Sequence, residues 1–197
     1  MKFGVALAAF PLIFFGELPD KTMFASLVLA SRGRPLAVWI GAAAAFVVHV
    51  AIAVTIGVAL FHLLPDRAID ILVAVMFAVG AVLAFRATEE GEEEEAEEVI
   101  EGTSTDAHRV ALTAFVVIFV AEWGDLTQVL TANLAARTGA PVSVALGSTL
   151  ALWSVAAIAV AAGKTLVRLM PGVVLRRVTG AVCILLAIVA TVEAIRA

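Results

Sequence analysis

The chain has 197 residues, 62% of them hydrophobic and only 15% charged, with a mean hydropathy of +1.07. A soluble domain is about 45–50% apolar, so a soluble protein is excluded and an integral membrane protein is expected. The net charge of −4 gives no sign of a nucleic-acid partner: ten of the 17 acidic residues fall between Glu89 and Asp106, and basic residues prevail elsewhere.

Six apolar runs approach or exceed the roughly 20 residues that cross a bilayer as a helix. The first, 3–30, opens MKFGVALAAF, which faintly resembles a signal peptide. The run continues past residue 24 with no small-x-small site before its charges, so it reads as a mature first helix. It contains GELPDKTMFASL, with Glu17, Pro19, Asp20, Lys21 and Thr22. The second run, 36–60, carries His49 and ends at HLLPDR. The third, 68–87, leads into the acidic stretch 88–108, which is too poor in apolar residues to order itself and reads as a solvated linker. The fourth, 110–135, holds AEWGDLTQVLTANL, with Glu122, Gly124, Asp125, Thr127 and Gln128. The fifth is 142–162 and the sixth 173–195. Cys183, the one cysteine, lies in the sixth; it has no intrachain partner and reads as an inert thiol.

The chain repeats itself. A shift of 105 residues carries Glu17 onto Glu122, Asp20 onto Asp125, Thr22 onto Thr127 and Arg32 onto Arg137. One inserted residue then aligns Pro35 with Pro141, Gly41 with Gly147, Gly57 with Gly163 and Pro65 with Pro171. The expected fold is an all-α membrane protein of six transmembrane helices in two three-helix repeats, 1–87 and 109–197, joined by the linker 88–108. An odd number of helices per repeat makes the second copy enter from the opposite side, so the repeats are inverted, a recurrent transporter plan. Loops one, three and five carry Arg32, Arg34, Arg86, Arg109, Lys164, Arg168, Arg176 and Arg177; the opposite side carries Lys2, Arg67, Arg137 and Arg196. The positive-inside rule then puts both termini outside and the acidic linker in the cytoplasm. Abundant alanine and an excess of arginine over lysine point to a bacterial plasma (inner) membrane.

In each motif the Glu and the Asp stand three residues apart, so on one helix they share a face. The two faces together would enclose Glu17, Asp20, Glu122 and Asp125. A charge at the membrane centre costs about 2.5–3.5 kcal/mol on insertion scales, so four carboxylates without partners would cost on the order of 10 kcal/mol. Protons or a shared cation remove that cost. Carboxylate and hydroxyl oxygens suit calcium, magnesium or manganese, and no Cys or Met accompanies the motifs. Pro19 and Gly124 weaken the helix beside the acids, and irregular backbone at membrane depth is tolerated where it lines a cavity. Lys21 is four residues from Glu17 and can neutralise it, or can snorkel to an interface. Gln128, three residues past Asp125, is a further oxygen donor, ahead of Thr131, Asn133 and Ser26. His49 reads as a proton relay or as a hydrogen-bonded structural histidine. Trp123 lies within the second motif, where it can wall the site.

At these motifs the chain resembles the Gdt-type cation–proton exchangers, which carry Glu-x-Gly-Asp-Lys/Arg-Thr/Ser on the first and fourth of six core helices. The resemblance implies transport of manganese or calcium against protons, with no cofactor. Residue by residue it makes Glu17, Asp20, Glu122 and Asp125 the motif acids and Thr22 and Thr127 the hydroxyls. Pro19 stands where the family has Gly, and Leu126 where it has Lys or Arg. The expected function is a secondary transporter exporting divalent cations, manganese before calcium, in exchange for protons by alternating access. The partners are then the lipid bilayer, divalent metal ions and protons, with a homo-oligomer allowed. An exporter of a small organic solute such as an amino acid is the alternative. An enzyme is not expected, because no Ser/His or metal-ligating His constellation is present.

Overall fold

The computed structural model of the chain describes residues 2–17, 34–86, 106–169 and 172–196. Asp20, Lys21, Thr22 and nearly all of the acidic stretch lie outside the described residues. Among the described residues there are seven helices: α1 (Phe3–Glu17), α2 (Pro35–Leu63), α3 (Asp66–Arg86), α4 (Ala107–Ala121), α5 (Leu126–Thr138), α6 (Pro141–Leu169) and α7 (Gly172–Arg196). No strand occurs among the described residues.

Helix lengths repeat as the sequence does. α2 and α6 each span 29 residues and each begin on a proline, whose fixed φ and missing N–H suit the first helical position. α1 and α4 each span 15 residues and run up to the glutamate of their motif. α5 is closed by Gly139 in the left-handed conformation at φ 55, the usual C-terminal stop.

The fourth apolar run is not one helix. α4 and α5 are bent by 72° across the break that contains Glu122 and Asp125. Two residues cause it. Gly124 has φ 78, a value no right-handed helix contains and one that glycine alone adopts without strain. Asp125 then turns its carboxylate onto the Thr127 N–H at 3.0 Å and caps α5. The expectation that Glu122 and Asp125 share one helix face is therefore corrected: they stand at the facing ends of two helices.

α5, the helix richest in polar residues, is packed against α1, α2, α3 and α6. It exposes no large apolar side chain, whereas the other six helices expose such residues as Leu7, Ile40, Val75, Val116, Leu150 and Ile188. A broken, polar segment is thus screened by apolar helices whose outer faces suit lipid. Among the described residues, α2 and α6 contain stretches long and apolar enough to cross a membrane, and the bent α4–α5 pair makes a third if counted as one span.

The halves interlock. α1 packs on α6 and α4 packs on α2, while α3 lies on α7 and α2 on α6. A β-carbon at Gly41 would collide with the carbonyl oxygen of Ala111, and one at Gly147 with that of Ala6. These are the same contact in the two repeats, and in each the missing side chain lets two backbones meet. The core between them is Ile13, Phe46, Val50, Ile118, Leu130 and Leu152, all buried. Trp39 and Trp153 cross-link α2 and α6, each indole N–H donating to a carbonyl of the other helix, Trp153 O at 3.2 Å and Ala43 O at 3.1 Å.

One end of the bundle is tied by polar contacts. Arg137 in the last turn of α5 pairs with the buried Asp70 of α3 and, at 3.0 Å, with Glu193 of α7. Its Nε donates to Asn133 at 3.0 Å. The Lys2 backbone N–H donates to Ser143 Oγ at 2.8 Å and its ammonium to Thr138 O at 3.3 Å. The N-terminus, the start of α3, the end of α5 and the end of α7 therefore lie together.

Candidate functional site

Three acids meet where the helices break. Glu17 is the last residue of α1 and is fully buried, Glu122 caps the end of α4 and is buried, and Asp125 begins α5 half-buried. One oxygen from each lies within 4.8 Å of the others. Oxygens across a calcium ion stand about 5 Å apart, given metal–oxygen distances of about 2.3–2.6 Å, so these three can reach one divalent ion together. Thr127 lies between two of them. Its hydroxyl is 2.9 Å from Glu17 Oε2 and 3.2 Å from Asp125 Oδ2, so its single proton is shared by the two acids.

The local electrostatics favour a cation. Glu122 stands at a helix C-terminus, where the dipole is already negative and an anion is disfavoured. Glu17 brings a second carboxylate to that point from another helix. Asp125 stands at a helix N-terminus, which suits it. All donors in the cluster are oxygens, a hard set that fits calcium, magnesium or manganese better than copper.

Of the residues expected from sequence, Glu17, Glu122, Asp125 and Thr127 come together. Gln128 borders the cluster, but its Oε1 accepts from the Gly124 N–H at 2.8 Å and its amide nitrogen points to His49 Nδ1 at 3.1 Å. His49 is buried in α2, with Nε2 2.9 Å from Phe119 O. Asp20, Thr22 and Lys21 lie outside the described residues. Trp123 is 63% exposed; its ring leans on His49 and Phe119, with centroids 6.1 and 5.3 Å away. A small cavity beside the acids is lined by Glu122, Thr127, Thr131, Gln128 and His49. Thr131 donates there to Ser148 Oγ of α6 at 3.3 Å, both side chains buried. Sequence reasoning named Thr131 as a lesser donor and missed Ser148, which sits in a row of small residues that reads only as close packing.

Ionisable groups inside an apolar helical bundle are, in membrane proteins as a class, the groups that mark ion pathways. The particular family follows from comparison with known proteins. Residues 5–92 and 110–197 each match the family described as divalent cation/proton antiporter GDT1, and the chain belongs to that family. It is 34% identical over 164 residues to the protein PAM71, chloroplastic, of Arabidopsis thaliana, covering 72% of this chain and 44% of that protein. It is 34% identical over 166 residues to the GDT1-like protein sll0615 of Synechocystis sp., covering 78% of this chain and 80% of that one. It is 29% identical over 182 residues to GDT1-like protein 4 of Oryza sativa, covering 83% and 64%. The chain spans about half the length of the chloroplastic relatives it matches, 44% and 48% for two of them. No solved structure matches it.

Proposed function

We propose that the protein is a secondary transporter that exports divalent cations, manganese first and calcium second, in exchange for protons. The observation that carries the reading is the convergence of Glu17, Glu122 and Asp125 within 4.8 Å, inside an apolar bundle. Through the repeat, Asp20 and Thr22 add to this set what Asp125 and Thr127 supply from the second motif, and Lys21 offsets charge when the ion is absent. Buried acids this close repel one another unless a divalent ion or protons hold them together. One site that holds either, but not both, exchanges one for the other. An organic solute, the alternative left by the sequence, fits less well, because a zwitterion needs only one or two countercharges and three acids gather here.

Alternating access follows if the repeats are inverted and rock against each other. The gathering of the N-terminus and the ends of α5 and α7 at one end of the bundle supports an alternating six-span path. In this reading the chain is multi-pass in a bacterial plasma membrane, with both termini outside and the acidic linker cytoplasmic. Uptake of manganese and of calcium into proteoliposomes under a pH gradient tests the function. Asp125→Asn and Glu122→Gln are each expected to lower the flux about tenfold or more, the equivalent of about 1.4 kcal/mol. Fluxes of both ions unchanged in both variants would refute the site.

A further inference from the structure

We propose that His49 is a positioning residue, which with Gln128 latches the break between α4 and α5 and so fixes where Asp125 and Thr127 stand. Gln128 then belongs to the latch and not to the ion's ligands. The proposal rests on the cluster being the ion site.

Four groups form the latch. Phe119 O lies on α4, before the break, and accepts from His49 Nε2 at 2.9 Å. The Gly124 N–H lies within the break and donates to Gln128 Oε1 at 2.8 Å. Gln128, on α5 after the break, directs its amide nitrogen to His49 Nδ1 at 3.1 Å. Each end fixes the next. A carbonyl only accepts, so the ring proton is on Nε2 and Nδ1 is an acceptor; a backbone N–H only donates, so the glutamine oxygen faces Gly124 and its nitrogen faces the ring. No group is left with two choices. α2 is thereby bonded to both sides of the bend.

Among the described residues, few other contacts hold the bend itself. A side chain at Gly124 would meet no atom within 4 Å, so packing does not hold the turn at that point. Backbone bonds across the break are few, chiefly Trp123 N to Val120 O at 3.3 Å and Asp125 N to Glu122 O at 3.1 Å. Asp125 and Thr127 lie between Gly124 and Gln128, so fixing those two residues fixes the ion-facing oxygens. His49 is 4% exposed, and the Phe119 ring at 4.8 Å helps keep water from competing for its bonds. The residues themselves are not repeated: by the internal repeat, Met23 corresponds to Gln128 and Val155 of α6 to His49.

Manganese uptake by full-length protein in proteoliposomes tests this, with thermal unfolding in detergent run on each variant. His49→Leu and Gln128→Leu are each expected to raise the KM for manganese about tenfold, the usual effect of losing a partner behind a metal ligand, with the maximal rate changed by less than about twofold. The double variant should be no worse than the poorer single one, since both cut one chain of bonds. His49→Gln keeps a donor and an acceptor but cannot take up and release a proton; it should stay within about threefold of the parent KM. If His49→Leu proves unfolded, His49→Gln and Gln128→Leu still carry the test. Three results overturn the latch: His49→Gln as defective as His49→Leu, which makes the ring a proton carrier; multiplicative losses in the double variant, which make Gln128 an independent ligand; or an unchanged KM in Gln128→Leu. Parent protein that carries neither manganese nor calcium overturns the ion-site reading itself, and is distinct from all three.

Discussion

Thr127 does two jobs with one side chain. Its backbone N–H is capped by Asp125 and its hydroxyl spans Asp125 and Glu17. Thr127→Val keeps the shape and removes the bridge, so two carboxylates lose their shared donor. Ion affinity is expected to fall about tenfold, with Thr127→Ser close to the parent; isothermal titration with manganese checks both. Charges inside apolar runs stand out, so Glu17, Glu122 and Asp125 were legible in the sequence, and the repeat doubled the signal by placing Thr127 beside Thr22. The bonds that Gln128 makes to Gly124 and His49 were not legible, for a specific reason. A spacing of three puts it on the face of Asp125 only if both lie within one helix, whereas Asp125 is the cap of α5 and Gln128 turns back to Gly124. Which of the two parts His49 takes is invisible from spacing, because its partners Phe119 and Gln128 are 70 and 79 residues away.

Elements follow the sequence closely where breakers are strong. Pro35 and Pro141 open α2 and α6, and the proline at 65 separates α2 from α3. The break in the second motif was foreshadowed by Gly124, but its size was not: a glycine within an apolar run also fits an unbroken helix, and only its left-handed φ of 78 makes the 72° bend. Gly124→Ala puts a β-carbon into that conformation, at a cost of about 1–2 kcal/mol. There is open space around it, so the loss is conformational and not a clash. Thermal unfolding in detergent should register it, together with weaker manganese binding as the segment from Asp125 to Gln128 shifts.

At the scale of the molecule, the α3–α7 pair meets the site-bearing helices, among the described residues, mainly through α5. Arg137 is the polar fastening of that contact, joined to Asp70 and Glu193. Arg137→Leu strands the Asp70 carboxylate, which is 2% exposed. The expected loss is about 2–3 kcal/mol, below the 3–5 of a fully buried pair because the guanidinium is partly solvated. Adding Asp70→Leu should recover much of it, since an apolar pair of similar bulk carries no stranded charge; chemical denaturation of the three proteins measures both steps. Arg137 was legible only as a loop charge matched to Arg32, because its partners come from helices far along the chain.

The glycine contacts have a consequence for the order of synthesis. α1 is made first, yet the surface that fits it belongs to α6, and the surface that fits α4 belongs to α2. Gly147, against which the Ala6 backbone rests, emerges from the ribosome some 140 residues after it. Until then the first repeat is an open set of helices, with the buried Glu17 lacking the neighbours that bury it. Such a chain reaches its final packing only when its second half has entered the membrane, so the duplication holds the first half unfinished until the last helices arrive.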